Sequence, residues 1–373
     1  LGLGALAIRS RADRETLFVY NAISGDASLV RGLGRERAQV TALPGMKLGR
    51  WNVRIGVLDD QLLTLDTESR RIHAISLAAL RKQPLTSVLH TTPLHAAAVP
   101  YRAVIHGDRV WVDYFATNRI EAYAWQRAAR ALVYLGEQIV PNARPLGLSD
   151  LWVRGDQLLV AASGISCLAR LCPRETAPDP HVFAFALDHA PLGAMLSDLH
   201  PSNTNAAGLY LHLPTGTAFV INAGDYRDGY SSIQRIDANK LGREVRLARN
   251  AGAARGFALD ARSALILQFS GEHAIVFDVV EERVLAILRF DGNAFAPLAS
   301  LGDPLAERFK SDLQDVLPDP AVKGRFFIVD SKREQLLHVA FHAPSALELL
   351  GVTSLKTAAF RSAPSWAVWL GPG

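Results

Sequence analysis

The stretch Pro364-Ser-Trp-Ala-Val-Trp-Leu-Gly371 decides the fold. Apart from Ser365, residues 365–370 are apolar or aromatic, the composition of a β-strand covered on both faces. It reads as the inner strand of a sheet with nothing after it to pair with. The other end of the chain supplies what is missing. Residues 5–8 and Leu17-Phe-Val-Tyr20 are strand-like, and no inner strand precedes them. Joined, the two ends complete one sheet, with residues 365–370 expected beside residues 5–8. Such pairing removes exposed sheet edges, which otherwise template association with other chains.

Working inward from the two ends, one pattern recurs. A short, mainly apolar strand of three or four residues appears as Leu17-Phe-Val-Tyr20, Ile72-His-Ala-Ile75, Ile120-Glu-Ala-Tyr123, Val182-Phe-Ala-Phe185, Ile233-Gln-Arg-Ile236, Ile275-Val-Phe277 and Leu337-His-Val339. Six copies follow a second apolar strand, among them Gln61-Leu-Leu-Thr-Leu65, Arg109-Val-Trp-Val-Asp-Tyr114 and Gln157-Leu-Leu-Val-Ala161. Turns of Asp/Gly type stand before these: Asp59-Asp60, Gly107-Asp108 and Gly155-Asp156. Such residues accept the left-handed conformations of tight antiparallel hairpins. Shorter strands flank each hairpin, giving four per unit. Seven such units, spaced by roughly 40–65 residues, predict an all-β, seven-bladed β-propeller of four-stranded antiparallel blades. The closure argues for a single domain over residues 1–373, with insertions at about 162–181 and 291–312, rather than the two domains that its length suggests.

Two hairpins carry a resemblance. Trp111-Val-Asp-Tyr-Phe-Ala-Thr-Asn118 and Ala218-Phe-Val-Ile-Asn-Ala-Gly-Asp225 are similar to the YVTN-type repeats of bacterial YncE-like propellers. Asp237 and Asp278 fall where that family often has Val-x-Asp at a strand end, while Ser76, Ala124 and Ala186 depart from it. The resemblance implies an extracytoplasmic seven-bladed fold; the family is functionally mixed, so it implies no particular activity.

Composition narrows the function classes. Hydrophobic residues make up 49% and charged residues 20%, with a net charge of only +4 and no runs of one sign, which argues against nucleic acid as a partner. No apolar stretch approaches the roughly 18–20 residues of a membrane-spanning helix. The apolar opening, residues 1–8, reads as a strand in preference to a signal-peptide remnant. Two cysteines, Cys167 and Cys172, lie too far from any Cys/His pair to make a zinc site, so a local disulfide is expected, and with it a periplasmic or extracellular location.

Propellers bind ligands where inner strands begin at the mouth of the central channel. Counting back from the turns gives Asn52, Arg54, Arg102, Asp150, Asn205, Arg255, Asp315 and Ser365 with Trp366. The three arginines suit a carboxylate or phosphate. Asp150, Asn205 and Asp315 offer oxygen ligands to a calcium-like cation, reminiscent of lactonase-type propellers. Elsewhere the histidines look isolated, and no nucleophile elbow, phosphate loop or dinucleotide fingerprint is present. The expected function is therefore a binding or scaffold propeller without a cofactor, contacting a protein partner or small ligand through one face and the two inserted loops. The alternative is a metal-assisted lyase or lactonase-type enzyme with its site at the channel mouth.

Overall fold

The computed structural model describes residues 16–33, 38–43, 45–82, 89–142, 145–164, 179–224, 230–238, 240–249, 253–268, 271–298, 311–356 and 363–370. It is a seven-bladed antiparallel β-propeller. Blade 1 contains β1 (Thr16–Asn21), β2 (Asp26–Arg31) and β3 (Gln39–Leu43). Blade 2 contains β4 (Asn52–Leu58), β5 (Gln61–Asp66), β6 (Arg71–Ser76), a short helix α1 (Leu77–Lys82) and β7 (Leu89–Pro93). Blade 3 is β8 (Ala103–His106), β9 (Arg109–Tyr114), β10 (Arg119–Gln126) and β11 (Ala131–Ile139). Blade 4 is β12 (Leu148–Arg154), β13 (Gln157–Ala162), β14 (His181–Ala186) and β15 (Met195–Leu199). Blade 5 follows with β16 (Ala206–His212), β17 (Thr217–Asn222), β18 (Tyr230–Ile236) and β19 (Val245–Arg249). Blade 6 holds β20 (Ala253–Ala258), β21 (Ser263–Gln268), β22 (His273–Asp278), β23 (Arg283–Phe290) and the added β24 (Phe295–Pro297). Blade 7 holds β25 (Leu313–Pro318), β26 (Arg325–Asp330), β27 (Gln335–His342) and β28 (Ala346–Ser354). The last strand, β29 (Pro364–Trp369), returns to blade 1 as its inner strand.

Closure occurs one strand away from where the sequence places it. β29 runs antiparallel to β1, with Leu17 opposite Trp369 and Tyr20 opposite Trp366. Residues 5–8, the expected partner, lie outside the described residues. Leu17-Phe-Val-Tyr20 is thus the second strand of its blade and not the third. The third, β2, starts Asp-Ala-Ser and hides among turn residues, so an apolar count passes over it.

Turn chemistry behaves as the residues demand. Asp59 and Asp60, between β4 and β5, both take positive φ, 47° and 60°. That is the signature of a tight hairpin turn whose twist matches the strands it joins.

The blades form two compact units, one of residues 1–93, 310–342 and 347–373 (blades 1, 2 and 7) and one of residues 94–309 and 343–346 (blades 3 to 6). In the first, Leu17, Val19, Val329 and Ala367 fill the space between blades 7 and 1, and Phe18, Leu29, Leu62 and Trp366 that between blades 1 and 2. In the second, Trp111, Leu158, Val160 and Phe183 join blades 3 and 4, Ala161, Val182 and Val220 join blades 4 and 5, and Phe219, Ile266 and Phe277 join blades 5 and 6. Each large aliphatic or aromatic side chain so buried contributes about 1.5–3 kcal/mol. Successive residues of β14 thus serve opposite faces, Val182 and Ala184 toward blade 5, Phe183 and Phe185 toward blade 3.

One expectation about the inserted loops is revised. The disulfide is withdrawn: the described residues contain none, and Cys167 and Cys172 both lie outside them. Short spacing in sequence does not bring two Cβ atoms to the narrow separation that a bridge requires. The insertion beginning at Asp291 opens with β24, and residues 299–310 of it lie outside the described residues. Among the described residues no helix is long and apolar enough to cross a membrane.

Candidate functional site

Most inner strands lose register once near their start, so that one extra residue intervenes. The shift falls between Leu148 and Asp150, Ala206 and Gly208, Ala253 and Arg255, Leu313 and Asp315, and at Pro364/Trp366 in β29. A β-bulge bends the strand and re-aims the next side chain. Asp150, Arg255, Asp315 and Trp366 therefore occupy equivalent places in their blades. Asn205 precedes β16, and Arg102 precedes β8.

In the first unit these residues fasten blades to one another. Asp315 accepts the Ala367 N–H of β29 at 3.1 Å and the Val316 N–H at 3.0 Å. Arg54 Nη1 donates to the same carboxylate at 3.1 Å and also to the Ala367 carbonyl. Trp366 stacks on Tyr20 with ring centroids 5.1 Å apart, and its indole N–H donates to the Asn52 carbonyl at 3.0 Å. The Tyr20 hydroxyl accepts the Asn52 N–H at 3.0 Å and donates to the Gly49 carbonyl at 2.8 Å. Burial pushes this phenol above its ordinary range.

The second unit repeats the device. Asp150 accepts the Leu209 N–H of blade 5 at 2.8 Å and the Leu151 N–H at 3.0 Å. Burial pushes its carboxyl up, and Arg102 and Arg255 offset part of that. Asp113 lies beside it, fully buried: one oxygen accepts the Arg102 N–H at 2.6 Å and the other has no partner. Burial drives Asp113 well above the carboxylate range, with the neighbouring Asp150 adding to the rise. The Asn205 side chain donates to the Gly224 carbonyl at 3.4 Å. Both candidate metal-binding carboxylates, Asp150 and Asp315, therefore already serve as acceptors for main-chain N–H groups of the next blade.

The outer strands of blade 4 hold a different arrangement. Asp179-Pro-His181 leads into β14 and Asp198-Leu-His200 ends β15, two copies of Asp-x-His. In extended chain, residues two apart point to one side. Antiparallel pairing of β14 with β15, Phe183 opposite Asp198 and Val182 opposite Leu199, then lays the two copies across from each other. His181 continues the side that carries Phe183, and the two rings stack at 5.0 Å.

The result is four chemistry-bearing side chains in one cluster. Asp179 Oδ2 lies 3.2 Å from His181 Nε2, and its Oδ1 lies 3.5 Å from His200 Nδ1. Asp198 Oδ1 faces the remaining ring nitrogens, at 2.7 Å from His181 Nδ1 and 3.9 Å from His200 Nε2. One ligand atom from each of Asp179, His181 and His200 falls within 4.8 Å of the others, a spacing that fits a metal ion. The His181 side chain is only 6% exposed, against 58% for His200 and 47% for Asp179, so the cluster has a buried wall and an open front. His181 Nε2 is buried and meets Asp179 Oδ2 at 3.2 Å without an aligned hydrogen bond. Burial works against the Asp179 charge, but His181 and His200 outweigh it and hold the carboxyl below its usual range.

None of these four residues was among the sequence-derived candidates. The signal was the repeated Asp-x-His, missed because the histidines were weighed one by one and not in pairs with the acid two residues before.

No protein-family model matches the chain, and no curated protein is detectably similar in sequence. Solved structures are similar in fold. A hypothetical selenium-binding protein from Sulfolobus tokodaii has a TM-score of 0.67 at 10% identity, over 97% of this chain and 94% of its own. A putative 6-phosphogluconolactonase from Bacteroides fragilis gives 0.59 at 12%, over 96% and 98%. A streptogramin B lyase gives 0.55 at 8%, over 84% and 85%.

Proposed function

We propose that this chain is a metal-assisted enzyme of the lyase or lactonase class, its cation held by Asp179, His181 and His200. One observation carries the reading: two Asp-x-His segments converge on one point, with the buried His181 Nε2 facing the Asp179 carboxylate at 3.2 Å. The donor set also revises the kind of cation. Calcium takes six to eight oxygen ligands, whereas two imidazoles and one carboxylate suit a zinc-class ion. Three protein ligands and an open front would leave a position for water or substrate, where a bound cation would lower the pKa of water and polarise a carbonyl oxygen. A lyase and a putative lactonase among the propellers of similar fold support the class by analogy alone. The YncE-like kinship and an extracytoplasmic location belong to the same proposal, supported by the repeats at Trp111-Val-Asp-Tyr114 and Ala218-Phe-Val-Ile221.

Calorimetry with zinc, calcium and magnesium chlorides tests it, alongside a panel of lactones and esters assayed with and without chelator. Zinc is expected to bind one per chain, far more tightly than calcium, with turnover lost on chelation and regained on zinc addition. Absence of zinc binding, or turnover indifferent to chelation and to His181→Ala, overturns the proposal and leaves the binding-module reading in its place.

A further inference from the structure

Asp198 stands apart from the three residues grouped as ligands, and its geometry has a separate use. The ring nitrogens nearest Asp179 are His181 Nε2 and His200 Nδ1; the opposite nitrogen of each ring turns to Asp198 Oδ1, at 2.7 Å and 3.9 Å. An imidazole ligates through one nitrogen only if its proton sits on the other, and the group accepting that proton's hydrogen bond fixes both tautomer and ring orientation. His181 is gripped tightly: its ring is buried, stacked on Phe183 at 5.0 Å, and 4.4 Å from the ring of His200.

We propose that Asp198 is the positioning residue of this centre. It accepts the Nδ1–H of His181, leaves the Nε2 lone pair turned to the Asp179 side, and lies 3.9 Å from His200 Nε2, beyond hydrogen-bond reach. The inference rests on the metal-site reading above. It adds a fourth residue whose role is exerted through the histidines and not on the cation. The same pairing explains why both copies of the motif carry the acid: Asp179 faces the front of the two rings and Asp198 their back.

The test compares Asp198→Ala, Asp198→Asn and His181→Ala in the full chain. Zinc affinity is read by competition with a chromogenic chelator, and imidazole tautomers by 15N shifts in the metal-free protein. For Asp198→Ala we expect an affinity loss of about 10–100-fold, and a His181 signal moved from the Nδ1–H toward the Nε2–H tautomer. Asp198→Asn keeps an acceptor oxygen and is expected to recover much of both. His181→Ala is expected to lose more than either. Wild-type affinity and an unchanged tautomer in Asp198→Ala overturn the positioning role while leaving the metal site standing. A loss in Asp198→Ala equal to that in His181→Ala, with the tautomer unmoved, makes Asp198 a ligand and also overturns it. Unimpaired zinc binding by His181→Ala overturns the site itself, a result the other two cannot mimic.

Discussion

Blade 4 carries aspartates at both its inner and outer strands, and they have opposite fates. Asp150, at the start of β12, is half-buried and accepts two main-chain N–H groups, one of them from the next blade. Asp179 and Asp198, flanking β14 and closing β15, face imidazoles instead of backbone. The first kind of carboxylate is spent on holding blades together; the second remains available to a ligand. An acid at a strand end is thus no pointer to function until its acceptor capacity has been accounted for. Asp315 in the other unit repeats the inner pattern with Ala367, and Arg54 completes it.

Changes at the inner strands should leave cation affinity unaltered, and changes at the outer strands should cost little stability. The largest effect is expected from deleting residues 364–373, which removes β29 and leaves β1 as an open edge. The deletion variant should lose its single cooperative urea transition, whereas a transition like that of the intact chain contradicts the closure. Asp315→Ala comes next, at about 2–4 kcal/mol, because the Ala367 N–H loses its acceptor and Arg54 its charged partner, keeping only the Ala367 carbonyl. The urea midpoint measures it, and zinc affinity should not change. Gly256→Ala should cost about 1–3 kcal/mol, since a Cβ there would stand 2.5 Å from the Tyr210 ring, itself packed in the blade 5/6 core.

Asp278 gives a smaller, pH-dependent effect. Burial opposes its charge, but the Glu281 and Val280 N–H groups and Arg262 hold the carboxyl below its ordinary value. A lowered pKa stabilises the fold above the unfolded-state value and ceases to do so as pH falls through the folded one. Asp278→Asn should therefore cost about 1 kcal/mol at neutral pH, and the gap to wild type should close below about pH 4. His200→Ala is expected to be the mildest for stability, within about 0.5 kcal/mol for so exposed a side chain, yet to weaken zinc binding by at least ~100-fold. A large loss of stability with zinc binding intact would invert the comparison.

How far the sequence could be read differs between fold and site. The repeat was legible because period-two apolar strands and Asp/Gly turns are local signals, as the Asp59-Asp60 hairpin shows. Blade 1 was misread by one strand because the Asp-Ala-Ser opening of β2 carries no apolar signature. For the site, counting from turns placed Asp150, Arg255 and Asp315 at equivalent positions, but counting says nothing about what their oxygens accept. His181 and His200 looked isolated because their partners lie two residues upstream and one strand across.

By itself the sequence determined a sevenfold run of four-stranded units and a closure between its ends, since both follow from local alternation and from the cost of unpaired edges. It also contained both Asp-x-His copies and the period that sets each acid beside its histidine. Only the tertiary structure decided which acids fasten the fold and which converge on the buried ring of His181. That choice depends on bulges such as those before Asp150 and Asp315, and on the register of β14 against β15. A single-residue slip in either turns a side chain to the opposite face of its sheet, and no local propensity fixes it.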